Sequence, residues 1–401
     1  MKRANTIGGL MVMAVALTVI LGLTSVAPEE QNQLTLIEQL GKFLLFDSNL
    51  SNPTGQSCAS CHSPETGYTG PDLSVNKTQV AYPGAMVNRA GNRKPPSAAY
   101  AGQSPVLHYD EEEEVWIGGM FWDGRATGWE MGDPLAEQAK GPFLNNLEQN
   151  GASEKMMVEK VAKSSYAKLF KKVWGADSLD SVEDAYTNIA KSIAAYERSS
   201  EVNPFSSKYD YYLRGEVELT AQEKLGHELF EDADKSKCAE CHPSQLGENG
   251  ESPLFTDFTY DNLGIPRNPD LAFYKMPANF NPAGATWVDL GLGDFLKTDG
   301  KPAAVYEKEM GKMKVPTLRN IDQRPHEDFI KAYGHNGYFK TLKDIVHFYN
   351  TRDVEVWAPP EVAANVNTEE LGDLKLTEEE EDAIVAFLKT LTDGWTPGMD
   401  K

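Results

Sequence analysis

The sequence contains two five-residue strings in which a pair of cysteines is followed directly by a histidine. They read CASCH at 58–62 and CAECH at 238–242, and together they use all four cysteines of the 401-residue chain. The pattern C-x-x-C-H is typical of covalent haem attachment, in which two thioethers hold the porphyrin and the histidine binds its iron. Each string therefore predicts one haem c. The residues concerned are Cys58, Cys61, His62, Cys238, Cys241 and His242.

Disulfides, zinc and a redox dithiol are the other chemistries open to four cysteines. An exported chain with an even number of cysteines invites disulfides. A zinc site would need the two pairs close together in space, and a redox dithiol has no need of the histidine. Two strings that leave no cysteine over favour two covalent haems, with His62 and His242 as iron ligands.

Charge and the N-terminal segment limit the partners and the location. The formal net charge is −22 with no lysine or arginine cluster, so phosphate backbones are repelled and nucleic acid is excluded as a partner. Residues 1–27 begin with MKR, continue with an apolar run at 7–23 and end with small residues, which is the pattern of an export signal. The run is long enough to leave an uncleaved membrane anchor as an alternative. The body of the protein is predicted to be periplasmic, with membrane contact only through this segment.

A loose internal repeat positions the two strings. LGKFLLFD at 40–47 precedes the first string and LGHELFED at 225–232 precedes the second. Each half is therefore predicted to open with a helix that leads into a haem site. Between the halves, the apolar period of 181–198 indicates a surface helix, which Asn203-Pro204 ends.

These elements predict a mainly α chain of two cytochrome c-like domains, at 28–205 and 206–401. Thr220 with Glu223, and Thr377 with Glu380, form the capping-box pattern at two further helix starts. The segments 64–105 and 243–302, rich in proline and glycine, are predicted to be long loops wrapped around the haems, which give them something to pack on.

Two further motifs carry a resemblance to a known family. FWDGR lies at 121–125 and KVPTLRN at 314–320. With the two haem strings they resemble the bacterial dihaem cytochrome c peroxidase and MauG superfamily, from about residue 35 to residue 392. In that family the N-terminal haem reacts with hydrogen peroxide and the C-terminal haem stores or relays oxidising equivalents. The resemblance implies a haem oxidoreductase.

The family's peroxide pocket holds a glutamine, a proline four positions later and a glutamate six beyond that. Gln138, Pro142 and Glu148 match these spacings. Breaking the O–O bond needs a group that takes a proton from one oxygen and returns it to the other, and a carboxylate near the open iron face can do both. The resemblance implies this role for Glu148 and a peroxide-orienting role for Gln138. A surface glutamate on a helix is the plain alternative.

The resemblance also assigns an electron relay and two cationic contacts. Trp122 matches a tryptophan that lies between the haems and passes electrons, although a buried core indole would look the same in sequence. Arg125 and Arg319 are expected to face haem propionates or buried carboxylates, a common use of a planar cation.

Two departures from the peroxidase pattern set the subclass. The loop 63–92 contains no histidine, and Thr78 stands where peroxidases that need reductive activation place a histidine that caps the first iron. The distal face of the first haem is therefore expected to be open, and His108 is assigned to the surface or the propionate side.

The second departure concerns the iron ligand of the second haem. Fourteen residues beyond His335 of the His-x-Gly turn, the peroxidases have a methionine; this chain has Tyr349, as MauG and its relatives do. Thioether ligation raises a haem potential, whereas a phenolate favours higher iron oxidation states. A packed helical aromatic is the alternative interpretation of Tyr349, and His347 is the rival ligand.

The resemblance leaves a calcium ion between the domains as an open alternative, because Lys94 replaces the family's calcium-binding asparagine while Asn92 lies close by. The preferred function is a MauG-type oxidase that uses hydrogen peroxide to oxidise tryptophan or tyrosine side chains of a partner protein. The alternatives are a peroxidase supplied with electrons by a small cytochrome or copper protein, and a dihaem electron carrier without catalysis.

Overall fold

The structure is a computed structural model that describes residues 33–398, so the predicted export signal at 1–27 lies outside the described residues. Within the described part, thirteen α-helices and four short strands confirm the mainly α fold. No helix in 33–398 is long and apolar enough to cross a membrane.

The N-terminal half contains six helices. They are α1 (Leu36–Phe46), α2 (Leu73–Lys77), α3 (Pro134–Leu144), α4 (Glu154–Lys163), α5 (Ala167–Trp174) and α6 (Val182–Glu197). The C-terminal half contains seven. They are α7 (Lys208–Leu213), α8 (Ala221–Glu231), α9 (Cys238–Cys241), α10 (Gly291–Thr298), α11 (Ala303–Tyr306), α12 (Leu342–Thr351) and α13 (Glu378–Lys389).

The strands form two small antiparallel pairs. β1 (His108–Asp110) pairs with β2 (Val115–Ile117), and β3 (Tyr260–Asp261) pairs with β4 (Met313–Lys314). The acidic run 111–114 is the exposed turn between β1 and β2.

The predicted repeat appears as one helix crossing used twice. α1 packs on α6 and α8 packs on α13. A Cβ on Gly41 would lie 1.9 Å from the carbonyl oxygen of Ser192, and a Cβ on Gly226 would lie 1.9 Å from that of Ala383. Because only glycine permits this approach, the matching glycine of each half fixes the helix pair that leads into its haem string.

The helix starts agree with their sequence patterns. Thr220 accepts from the backbone N–H of Glu223 and Glu223 accepts in return, a complete capping box at α8. Thr377 and Glu380 do the same at α13. Each box satisfies backbone donors that the first turn of a helix leaves unpaired.

Helix α6 is more buried than its apolar period predicts. It covers nearly the predicted range, but α1, α3 and α4 all pack against it, so the surface-helix prediction was wrong. Small residues explain the difference, because Ala190 and Ser192, which lie outside the predicted apolar stripe, are buried as well.

Two large apolar cores divide the chain. The buried residues of one lie between Leu40 and Val202, and those of the other between Tyr209 and Leu391. The break at Asn203-Pro204 falls between them, while the boundary at 205/206 stays a prediction. The segments 64–105 and 243–302 are largely irregular, although they include α2 and α10.

Candidate haem sites

The first C-x-x-C-H string folds into a single tight turn. Cys58–Ser60 forms a 3-10 helix, and the N–H groups of Cys61 and His62 both donate to the carbonyl oxygen of Cys58, at 3.1 and 3.0 Å. The thiols are free, and burial raises the pKa of each to about 12. Both sulfurs are free of any disulfide, as thioether formation requires.

Both haem histidines are held by the same device. The Nδ1 of His62 lies 3.0 Å from the carbonyl oxygen of Tyr68, and the Nδ1 of His242 lies 2.7 Å from that of Phe255. A carbonyl oxygen can only accept, so Nδ1 carries the proton and Nε2 is left to bind a metal. Burial lowers the pKa of both imidazoles, which keeps them neutral.

The two acceptor residues share an unusual backbone conformation. Tyr68 has a φ of 56° and Phe255 a φ of 54°, both in the left-handed region that side chains other than glycine rarely adopt. The same strained turn therefore presents the carbonyl oxygen in each half, an agreement between the halves that the sequence repeat does not reveal.

The second string lies in a cavity of about 210 Å³. Cys238, Cys241, His242 and Tyr349 all line it, the tyrosine from α12. Burial raises the pKa of the Tyr349 phenol, and its hydroxyl forms no hydrogen bond with any residue of 33–398. A desolvated phenol without a partner, in the cavity that holds the haem cysteines, fits the predicted iron ligand.

The rival ligand is bonded elsewhere. The Nδ1 of His347 lies 2.9 Å from Oε1 of Glu381, and its Nε2 lies 3.3 Å from Oε2 of Glu355. The hydrogen bond with Glu381 raises the pKa of His347, so this side chain is an ion-pair partner on another face of α12. One thioether does reach the cavity, that of Met313 on β4.

Three lysines on the cavity wall carry the sign of charge that would complement the propionates of a haem. The Nζ of Lys331 donates to the carbonyl oxygens of Asn320 and Gln323 at 2.7 and 3.0 Å. The Nζ atoms of Lys94 and Lys314 likewise donate only to backbone carbonyl oxygens. Within residues 33–398 none of the three forms an ion pair with a carboxylate.

Desolvation lowers the pKa of Lys94 to about 8 and of Lys314 to about 7, and that of Lys331 well below its usual value. A haem carries two propionate carboxylates, which would supply the missing counter-charge. The free thiols, the oriented histidines and these lysines together fit a covalently attached haem.

The two predicted arginines both pair with carboxylates. Arg319 is fully buried and bonds Asp210 through two nitrogens, each at 2.9 Å. Arg125 is 42% exposed, bonds Asp123 at 2.9 Å and stacks over the ring of Phe121 at 3.8 Å. Arg319 lines the large cavity; a haem contact for either arginine stays a prediction.

Trp122 lines the same cavity as the second haem string. Its Nε1 donates to the carbonyl oxygen of Lys94 at 2.9 Å, and its own carbonyl accepts from the N–H of Lys314 at 2.8 Å. The indole is 9% exposed. Trp122 is thus held once through its side chain and once through its main chain, as a relay or a core residue would be, and the relay role stays a prediction.

The predicted peroxide pocket is built on α3 and the turn behind it. Gln138 and Pro142 are four residues apart on α3 and so share a face. The N–H of Gln149 donates to the carbonyl oxygen of Pro142 at 3.2 Å, which folds the Glu148 turn back onto the helix end.

Burial raises the pKa of Glu148, and the positive charge of Arg125 partly offsets this rise. The negative charge of Glu148 in turn raises the pKa of Cys58 and Cys61. The structure therefore brings Glu148 beside the first haem string. Its catalytic role, with those of Gln138 and Pro142, stays a prediction.

Thr78, at the position of the family's capping histidine, and His108 are both exposed. Thr78 ends α2 and donates through its hydroxyl to the carbonyl oxygen of Ser74 at 2.7 Å. His108 lies on β1 with its Nδ1 2.9 Å from the carbonyl oxygen of Val106.

Two buried polar residues near the first string were missed in the sequence. The amide nitrogen of Gln149 lies 3.5 Å from the sulfur of Cys58. Burial raises the pKa of Glu197 to about 8, and its Oε2 has no hydrogen-bond partner among the described residues. The negative charge of Glu197 also raises the pKa of Cys58. Both look like ordinary polar positions in the sequence, because they lie about 90 and 140 residues from Cys58 along the chain.

Two C-x-x-C-H turns with carbonyl-held histidines, in one mainly helical chain, define a dihaem cytochrome c. The chain belongs to the di-haem cytochrome c peroxidase family, whose model matches residues 36–218. It is 33% identical to the methylamine utilization protein MauG of Paracoccus denitrificans over 368 residues, which cover 88% of each chain.

Peroxidases are also among its relatives. The cytochrome c551 peroxidase of Nitrosomonas europaea is 29% identical, over 92% of this chain and 82% of its own length. Among solved structures, the diheme peroxidase BthA of Burkholderia thailandensis superposes with a TM-score of 0.76 at 31% identity, over 90% of this chain and 87% of that one. The chain is a haem peroxidase or oxidase by family.

Proposed function

We propose that this protein is a MauG-like dihaem oxidase that uses hydrogen peroxide to oxidise tryptophan or tyrosine side chains of a partner protein by long-range electron transfer. One observation carries the proposal. The Tyr349 phenol lines the cavity that holds Cys238 and Cys241, while the rival His347 is bonded to two glutamates. The 33% identity with MauG supports the same assignment.

Haem supplies the iron that reacts with peroxide and holds oxidising equivalents. Glu148 acts as the general acid–base: its carboxylate takes a proton from one peroxide oxygen and returns it to the departing one. Burial raises its pKa toward the working pH, which favours both transfers. Gln138 donates or accepts through its amide and so orients the peroxide.

Trp122 passes electrons between the two sites. Its indole donates to the carbonyl oxygen of Lys94 and its main-chain carbonyl accepts from the N–H of Lys314, so the ring keeps one orientation while it passes charge. The attachment residues of both strings are part-buried, which favours oxidation of a partner at a distance over direct contact with a bulky substrate.

The remaining assignments follow from the sequence patterns. Residues 1–27 are proposed as an export signal or anchor, which puts the body in the periplasm. The domains are proposed as 28–205 and 206–401. Lys94 lines the cavity, so a calcium ion there would meet an ammonium group.

The test is the resting optical and paramagnetic spectrum of the wild-type holoprotein beside Tyr349→Phe. We expect one high-spin and one low-spin haem, with only the low-spin signal changed by the substitution. His347→Ala is the matched control on the same helix and should leave both signals unchanged. A low-spin signal that responds to His347→Ala instead would overturn the ligand assignment.

A peroxidase with a sulfur-ligated second haem is the second candidate, because Met313 also lines the cavity. In that case Met313→Leu, and not Tyr349→Phe, changes the low-spin signal. Rapid and saturable turnover of peroxide with a reduced small cytochrome or copper protein would also favour it. A plain electron carrier predicts two six-coordinate haems and no high-spin signal.

A further inference from the structure

Two buried tyrosines, Tyr68 and Tyr196, connect His62, the predicted iron ligand of the first haem, to the protein surface. The carbonyl oxygen of Tyr68 accepts from His62, and the Tyr68 hydroxyl lies 3.4 Å from that of Tyr196. The Tyr196 hydroxyl donates to Oε1 of Glu201 at 2.9 Å. Tyr68 is 6% exposed and Tyr196 is fully buried, whereas the Glu201 side chain is 39% exposed and pairs with Lys42. The series of hydrogen bonds therefore ends in solvent.

The second half of the chain shows that packing does not require these hydroxyls. Phe255 takes the place of Tyr68, with the same left-handed backbone and the same bond from a haem histidine. Phe387 takes the place of Tyr196: a Cβ on Gly41 would meet the Cβ of Tyr196 at 2.8 Å, and one on Gly226 would meet that of Phe387 at 2.9 Å. An aromatic ring is thus common to both halves at each position, and the pair of hydroxyls belongs to the first half alone.

The pair has the chemistry of a one-electron relay. A phenol surrounded by protein gives up an electron readily only if its proton leaves with it, because a buried phenol cation would be unpaired and desolvated. Glu201 is an acceptor at hydrogen-bond distance from the Tyr196 hydroxyl. The Phe255 and Phe387 pair has no hydroxyl, so this chemistry is absent from the matching positions of the second half.

We propose that Tyr196 is a second exit for oxidising equivalents from the first haem, a step that rests on the proposed function. Tyr196 would give one electron, through Tyr68 and His62, to a first haem that hydrogen peroxide had oxidised. The hydroxyl proton of Tyr196 moves to Glu201, which leaves a neutral tyrosyl radical. One electron from an external one-electron donor and the proton returned by Glu201 restore the phenol.

The route reaches the surface at α1. Phe46 is 40% exposed and lies edge-on to the Tyr196 ring, with centroids 6.3 Å apart, and the Lys42 ammonium lies 5.9 Å from the ring centroid. A small aromatic reductant that stacks on Phe46 would therefore be separated from Tyr196 by one ring. This patch of Lys42, Phe46 and Glu201 is the proposed contact for the donor.

The experiment freezes the holoprotein shortly after one equivalent of hydrogen peroxide is added and records its paramagnetic spectrum. Wild type should give a tyrosyl radical that narrows when ring-deuterated tyrosine is incorporated. Tyr196→Phe and Tyr68→Phe should lower the signal roughly tenfold or more, because the buried radical then has no phenol proton to release. Both variants copy rings native to the second half, so folding is expected to hold.

Tyr166→Phe is the matched control. Tyr166 is also buried and also donates to a carboxylate, Asp47, at 2.6 Å, but the bond from His62 does not lead to it. Its variant should keep the radical. A signal that persists in Tyr196→Phe, or that is absent from wild type although the haem optical bands respond to peroxide, overturns the route alone. Haem bands that do not respond to peroxide overturn the proposed function and the route together.

Discussion

The indole Nε1 of Trp122 donates to the carbonyl oxygen of Lys94 at 2.9 Å, and the N–H of Lys94 donates to the carbonyl oxygen of His335 at 2.8 Å. His335 opens the turn that leads into α12, the helix of Tyr349. The predicted relay residue is therefore connected through Lys94, by two hydrogen bonds, to the turn that precedes the helix of the predicted iron ligand.

Replacing Trp122 with phenylalanine should slow electron transfer between the two sites while leaving the reaction of peroxide with the first haem unchanged. The lost hydrogen bond costs about 1 kcal/mol of stability. Partner or donor oxidation should fall roughly tenfold, equivalent to about 1.4 kcal/mol on the barrier. Stopped-flow absorbance of both haems separates the two steps. Equal slowing of both would show that the indole is only a core residue.

Glu148→Gln should lower the rate of the peroxide reaction by roughly 10²–10⁴-fold, the usual contribution of a general acid–base. Because burial raises the pKa of Glu148, the wild-type rate should fall as the pH drops through that raised pKa and the carboxylate is protonated. The glutamine variant should lose this pH dependence. Glu159→Gln, on α4 with a 54% exposed side chain, is the control and should match wild type.

Glu197→Gln should make the folded protein less sensitive to alkaline pH. Burial raises the pKa of Glu197 from 4.5 to about 8, so the folded state holds a proton that the unfolded state releases. Stability from this group is complete below pH 4.5 and is lost as pH rises to about 8. The total loss is roughly 3–5 kcal/mol by linkage.

The measurement for Glu197 is denaturant unfolding of the two holoproteins across that pH range. The variant should gain stability over wild type as pH rises, and the gain should level off above the folded-state pKa. A constant difference between the two proteins would mean that Glu197 is already ionised in the fold.

Arg319→Gln should destabilise the holoprotein by about 3–5 kcal/mol, because it leaves Asp210 buried without its cation. Arg319→Lys keeps the charge but loses the two-nitrogen contact, and should recover only part of the loss. Arg125→Gln, at a 42% exposed arginine, should cost less than about 1 kcal/mol. Unfolding curves check the three values. If Arg319→Gln shifts the haem potential without loss of stability, a propionate contact is the better account.

The features that were predictable from the sequence are those set by local chemistry. The C-x-x-C-H strings, the capping boxes and the repeat glycines each depend on a few neighbouring residues. The family resemblance supplied the position of Tyr349, fourteen residues beyond His335, and its role as iron ligand stays a prediction. The family resemblance supplied the roles of Gln138 and Glu148.

What escaped prediction depends on which distant segments meet. Lys94, Lys314 and Lys331 lie far apart in sequence and are related only by the cavity that all three line. Glu197 became unusual only once the fold showed it buried, with a charge that raises the pKa of Cys58. Hydrophobic periodicity does not distinguish a half-exposed helix from one surrounded by three others when the extra contacts use alanine and serine.

The lysines of the large cavity bear on how the protein is made. Within the part of the chain that the structure describes, none of the three has a carboxylate partner, and burial lowers the pKa of each, so either keeping the charge or giving up the proton costs free energy. We expect the final packing to depend on attachment of the prosthetic groups, whose propionates would supply the counter-charge. Cells short of haem should therefore accumulate a protease-sensitive precursor rather than a folded but inactive enzyme.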